Sequence, residues 1–389
     1  MKRLQHGTRL VASAALVTLS LIAAATAHAD ARTQAKRIHD RLAGVPPSAM
    51  TLDAMALRIQ ANDALGAARI AMDAPTFYKT TLKNWVTPWT NRDQTVFVPL
   101  NDYTATVIGM IRDDADFRQV LSGDILYVGG SGLPTYSATS NALYEQMEDQ
   151  DLDLSNTSVL VASTQSAHNG LPAAATAGVM TTRAAAEAFF VDGTNRAMFR
   201  FTLINHMCRD LEQVHDTSRP PDRIRQDVAR SPGGDSRVFL NNCIGCHSGM
   251  DPMAQAFAYY NYDKTAGRIE YTPGVVQPKY LINMDNFKPG YVTKGDGWDN
   301  YWRTGTNRLL GWSGSLPGSG SGAKSMGQEL ASSDAFAQCQ VEKVFKTVCL
   351  HPPANLADRD EVQRITGLFK GRGNMKDVFA ETAVYCKGD

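Results

Sequence analysis

The sequence predicts a mainly α-helical protein, with a helical N-terminal region followed by a C-terminal domain that carries a loop-rich insertion. Two observations predict this. Apolar residues recur at three- and four-residue spacing behind capping side chains over most of 30–125, 176–215 and 333–385. Between these runs, Gly, Pro and Ser gather in 126–175, 218–234 and 264–325, where the helical period is lost. At 389 residues, 43% hydrophobic and 20% charged, the chain has material for more than one buried core.

Residues 1–29 are read as an export signal. Lys2, Arg3 and Arg9 precede an apolar stretch from Leu10 to Ala25, and Ala27-His28-Ala29 places small residues where a signal peptidase cuts. Ser13, Thr18 and Ser20 interrupt that stretch, and it is short for a membrane anchor. No later segment is apolar enough to span a bilayer, so no membrane span is expected after cleavage. The chain has 39 basic and 39 acidic residues, and cleavage removes three of the basic ones. That balance carries no signal for nucleic acid.

Residues 30–215 form the helical N-terminal region. Thr51 can cap a helix in which Leu52, Met55, Ala56 and Ile59 share a face, and Asp73-Ala74-Pro75 is a helix start. Tyr103 to Arg112 and Ala115 to Leu121 read as further helices. Trp85 and Trp89 flank Pro88 as core pieces. Gly129-Gly130-Ser131-Gly132 lacks a P-loop Lys, so it is a loop and no phosphate cradle. Asp149, Asp151 and Asp153 begin like a calcium loop, but Leu154 and Leu160 stand where Gly and Glu are needed. Residues 176–215 are helical, with Phe189, Phe190, Phe199 and Phe201. A basic connector, 216–234, leads into the C-terminal domain, 235–389, which closes with a helix capped by Ser333 and two shorter helices at 358–370 and 374–385.

The chemistry concentrates at Cys243-Ile244-Gly245-Cys246-His247. Two thiols three residues apart can each add to one vinyl group on a porphyrin edge, and the next residue supplies an imidazole to the iron. This is the attachment pattern of c-type haem. A zinc site would need two further Cys or His at short spacing, and none is near. A dithiol redox pair would want a strand before it and a helix behind it, whereas Ser248-Gly249-Met250-Asp251-Pro252 follows. One covalent haem c is therefore expected, held by Cys243, Cys246 and His247, with His247 an iron ligand.

Cys208, Cys339, Cys349 and Cys386 remain. In an oxidising compartment they are expected to form two disulfides. Cys339 and Cys349 lie about 15 Å apart along one helix and cannot pair with each other. That leaves 208–349 with 339–386, or 208–339 with 349–386; the second closes the last helices into a compact end and is preferred.

For the far side of the iron, Met326 is the first choice, because it precedes the capped helix where small c-type cytochromes carry a Met loop. Met284, His206 and an open position are the alternatives. Met250 and Met253 follow His247 too closely and are read as packing. Phe257, Tyr259, Tyr260 and Tyr262 are expected to wall the porphyrin. His39, His168, His215 and His351 are read as surface or satisfied core residues.

The run from Cys243 to Pro252, followed by Phe257 and Asp263, resembles the haem-attachment segment of exported cytochrome-like proteins of planctomycetes and myxobacteria, which are built from domains of unknown function. Asp116-Phe117 with Leu121 to Tyr127, Gly178 to Thr182 leading to Arg200 and Cys208, and Phe336 to Val341 resemble other patches of that family. The resemblance implies a largely helical, haem c-binding protein outside the cytoplasm, with a cytochrome c-like C-terminal domain, and supplies no substrate. The stretch 264–312 is longer than the family's usual link. The function expected is one-electron transfer in the periplasm or outside the cell, with redox proteins as partners. The alternative is a haem oxidase or peroxidase-like enzyme with an open iron position, suggested by some 200 residues ahead of the motif where a simple carrier needs roughly 80–100 in all. A binding module docking through 30–200 ranks third.

Overall fold

The computed structural model describes residues 29–388. The expected export signal lies outside them, apart from Ala29. The protein is mainly helical, as the periodicity predicts. Its longer α-helices, in chain order, are α1 (Ala31–Ala43), α2 (Ala49–Gln60), α3 (Ala64–Met72), α4 (Asp102–Arg112), α5 (Ala142–Asp149), α6 (Arg183–Phe189), α7 (Arg196–Met207), α8 (Ile244–Ala254), α9 (Gly322–Ala331), α10 (Asp334–Cys349), α11 (Leu356–Arg372) and α12 (Met375–Tyr385). Among the described residues, strands occur as three antiparallel pairs: β1 (Leu126–Gly129) with β2 (Leu160–Ser163), β3 (Tyr260–Asp263) with β4 (Arg268–Tyr271), and β5 (Gly297–Asp299) with β6 (Ser319–Ser321).

Local chemistry accounts for most helix ends. Asp30 caps α1 by accepting from Thr33 N at 2.7 Å, and Gly44 closes it at φ 72°, a left-handed turn that glycine adopts without penalty. The cap of α2 is Ser48, one turn earlier than the expected Thr51, whose own N–H donates to Ser48 Oγ. Pro75 opens a continuous helical run as the sequence indicates, although its first part, Phe77–Leu82, is π-helical. Ser333 caps α10 as expected.

The main apolar core includes residues from Ala35 to Ala383, on both sides of 216–234. Helices α10 and α12 pack on α1, α12 packs on α3, and α10 packs on α7, so the end of the chain covers its beginning. Helix α4 is buried along its whole length in this core. The boundary expected at 216–234 therefore does not separate two cores. Nor is that segment a free connector: Ile224 and Arg225 are buried, and Gln226 N, Phe287 N and Tyr291 N form backbone hydrogen bonds that lace it to 287–291. Arg219 and Arg225 pair with the buried side chains of Asp216 and Asp227, and Arg230 donates to the carbonyls of Ile224, Arg225 and Val228, which a basic composition alone does not reveal.

Of the two disulfide pairings open in the sequence, the structure has Cys208–Cys339 and Cys349–Cys386, with Cα separations of 5.3 and 5.5 Å. The first ties the end of α7 to α10, and the second ties the end of α10 to the residue after α12. Among the described residues no helix is long and apolar enough to cross a membrane.

Candidate haem-attachment site

The Cys-X-X-Cys-His sequence straddles a junction. A π-helical turn, Phe239–Cys243, runs directly into α8, with Cys243 at its N-cap. Such π turns interrupt regular helices and recur at functional sites. No strand precedes the motif, yet a helix does continue through Ser248 to Pro252, contrary to the sequence expectation of an irregular segment there. Pro252 is accommodated inside it.

At 3.6 residues per turn, positions 243, 246 and 247 fall within about a third of the helix circumference. All three side chains are half-buried, so they share one partly open face. The opposite face is packed: Gly245 and Gly249 are buried. A Cβ on Gly245 would lie 2.4 Å from the His215 ring, and one on Gly249 would lie 1.9 Å from Trp302 Nε1. The absence of side chains at these two positions lets the back of α8 seat against the protein and turns the thiols and the imidazole outward.

Cys243 and Cys246 are the two free cysteines of the six. Cys246 Sγ lies 3.4 Å from the Leu211 carbonyl oxygen. Burial, then the proximity of Cys243, Glu212 and Asp210, pushes its thiol up. This is the reverse of the activation a dithiol-exchange pair needs.

His247 Nδ1 is 3.1 Å from Asp251 Oδ1, one turn further along α8. Asp251 is fully buried. Arg196, the first residue of α7, donates to both of its oxygens, Nε to Oδ1 at 2.8 Å and Nη2 to Oδ2 at 3.0 Å. The same guanidinium makes two 3.0 Å bonds to Asp227, which Arg225 also approaches at 3.4 Å. Burial would raise the Asp251 carboxyl; the Arg196 charge and the His247 ring outweigh it and hold the group well below the usual carboxylate range. Burial likewise works against the Arg196 charge, and the two carboxylates more than restore it. Nδ1 is thus committed to a carboxylate, and among the described residues nothing hydrogen-bonds Nε2, leaving that nitrogen available as a ligand.

Beside the motif is a small second core of Ile224, Val228 and Phe239, on which Cys243 and Ile244 pack. Val238 and Leu240, a turn ahead of Cys243, stay 38% and 56% exposed. The residues fit a c-type haem: two unpaired thiols, an imidazole oriented by a carboxylate, and uncovered apolar side chains beside them. Among the described residues no three His, Cys, Asp or Glu side chains converge as a metal-holding cluster.

The other residues singled out in the sequence are dispersed. Met326 lies within α9, fully buried in the main core, and not in the loop that was expected there. His206 is buried, its Nε2 2.8 Å from Tyr103 Oη and its ring against Trp89. Met284 stands 48% exposed in the stretch docked on 224–228. Met250 and Met253 pack in the core as expected. Phe257 and Tyr260 are committed to the main core, where Phe190 contacts both rings and Tyr260 Oη bonds Ala175 O, so their rings do not wall the motif. Asp251, Arg196 and Asp227 are not among the site residues the sequence predicts. The four-residue step from His247 to Asp251 is a readable signal, since such pairs meet on a helix; Arg196 and Asp227 carry none.

Comparison of the chain with protein-family models, curated proteins and solved structures finds no match.

Proposed function

We propose that this chain is an exported mono-haem c-type cytochrome that transfers one electron at a time. The observation that carries the reading is the shared half-open face of Cys243, Cys246 and His247, with His247 held through Nδ1 by a buried carboxylate. Export is supported by the charge and hydropathy pattern of residues 1–29 and by the two disulfides, which persist in oxidising compartments.

When bound, the haem iron would supply the ferric–ferrous couple. Cys243 and Cys246 would hold the porphyrin edge through thioether bonds, and His247 would offer Nε2 to the iron. Asp251 accepts a hydrogen bond from Nδ1–H and fixes the ring plane. The exposed Val238 and Leu240 would cover part of the apolar ring. Partners would be other redox proteins, met through a small, transient contact.

A second reading, a haem oxidoreductase with an open iron position, is favoured by the same carboxylate, because it makes the imidazole a stronger donor. One experiment tests both. The chain is produced in a host with haem-maturation machinery, and its mass and its reduced spectrum are recorded with and without carbon monoxide. A mass increase of one haem with a low-spin spectrum insensitive to carbon monoxide is expected. Rapid carbon monoxide binding replaces the carrier reading by the enzyme reading, and a bare polypeptide mass ends both.

A further inference from the structure

We propose that Asp251 is a positioning residue that makes His247 an electron-rich ligand, and that Arg196 opposes it, so that this pair of buried charges sets the reduction potential of the site. The inference rests on the haem reading above and adds to it a tuning device made of residues outside the attachment motif.

The geometry assigns opposite roles to the two charges. Asp251 Oδ1 accepts a hydrogen bond from His247 Nδ1–H, with the two heavy atoms 3.1 Å apart, and a carboxylate in that position strengthens the electron donation of the imidazole to a metal. A more strongly donating imidazole would stabilise the more highly charged ferric state. Arg196 donates to both Asp251 oxygens, one of them the Oδ1 that faces His247. It therefore draws charge away from the bond to the ring. Asp227 in turn holds Arg196 with two bonds of its own, and Arg225 approaches Asp227. The arrangement is a chain of alternating charges, ring to acid to base to acid to base. Asp251 is wholly buried, so its field reaches the ring with little solvent screening.

A pair that merely braced α7 against α8 would respond to either loss in the same way. A tuning pair responds with opposite signs. The test uses the haem-loaded chain with Asp251→Asn, Asp251→Glu and Arg196→Gln, each measured by redox titration. Asp251→Asn is expected to favour the ferrous state at least tenfold, about 59 mV for one electron. Arg196→Gln is expected to move the balance toward ferric, and Asp251→Glu to stay within about threefold of the parent. Nitrogen NMR of His247 in the haem-free chain supplies a second readout: one Nδ1–H tautomer in the parent and a mixture in Asp251→Asn. If Arg196→Gln does not fold, Arg196→Lys takes its place with a smaller shift of the same sign. Shifts of one sign in both charge variants, or an unchanged potential and tautomer, overturn the proposal while leaving the haem reading intact. A parent chain without haem mass overturns the haem reading itself, and with it any potential to tune.

Discussion

Gly249 meets Trp302 so closely that a Cβ on the glycine would lie 1.9 Å from Nε1 of the indole, which is itself fully buried. The contact sets how near α8 comes to the core and thereby how far the attachment face stands out. Gly249→Ala must displace either the helix or the indole. It is expected to cost about 1–3 kcal/mol, as overpacking does, and to lower the yield of haem-loaded chain. Denaturant unfolding of the purified variant checks the first effect, and the absorbance ratio of haem to protein checks the second.

Asp102 links two helices through backbone donors. Its Oδ2 accepts from Arg183 N at 2.6 Å and from Tyr136 Oη at 3.1 Å, and its Oδ1 accepts from Ala184 N at 3.0 Å. It sits at the start of α4 and serves the start of α6, where free N–H groups favour an anion. Asp102→Ala leaves these donors buried without an acceptor and is expected to cost about 3 kcal/mol or more. Asp102→Asn keeps one acceptor oxygen and should lose roughly half as much. Chemical denaturation of the two variants beside the parent decides it.

His206 is held neutral. Burial, with the nearby Lys343 charge, pushes its imidazole well below the ordinary value of 6.5. The unfolded chain binds a proton at this ring below pH 6.5 and the folded chain does not. Stability therefore has its full value from this group above pH 6.5 and falls as the pH drops below it, by up to about 1.4 kcal/mol per pH unit. His206→Gln should flatten that limb between pH 6.5 and 5. Unfolding curves across this range, parent against variant, give the difference directly; parallel curves would remove His206 as the cause.

The disulfides close chain separations of 131 and 37 residues. Replacing Cys208 and Cys339 together by Ala is expected to cost about 2–4 kcal/mol, and the Cys349 and Cys386 pair somewhat less, since the longer loop restricts the unfolded chain more. Denaturant midpoints rank the two. Non-reducing peptide mapping should find these pairings, with Cys243 and Cys246 outside both.

Much of the architecture is legible in the sequence because it is local. The helical spacing behind Ser333, the helices at 358–370 and 374–385, and Pro75 at a helix start are properties of a few consecutive residues. The cap of α2 slipped by a turn because Ser48 and Thr51 both bear hydroxyls, and the choice between them is decided by where the chain arrives from. Helix α5 is not legible among the turns of 126–175, because its face of Leu143, Tyr144 and Met147 is too short to stand out as a period. Met326 reads as loop because Gly and Ser crowd just before it, yet it is Gly327, just after it, that lets α9 approach Leu121, where a Cβ on Gly327 would lie 1.8 Å from the carbonyl oxygen.

The sequence by itself determined that the chain is mainly helical, because the apolar period is local, and that two thiols and an imidazole lie within five residues; the helix that puts them on one face came from the structure. The tertiary structure alone decided which cysteines pair, that 216–234 is packed, and that Asp251 is met by Arg196 from 55 residues away. Those contacts form between segments distant in the chain, and only burial of the shared core brings the segments together.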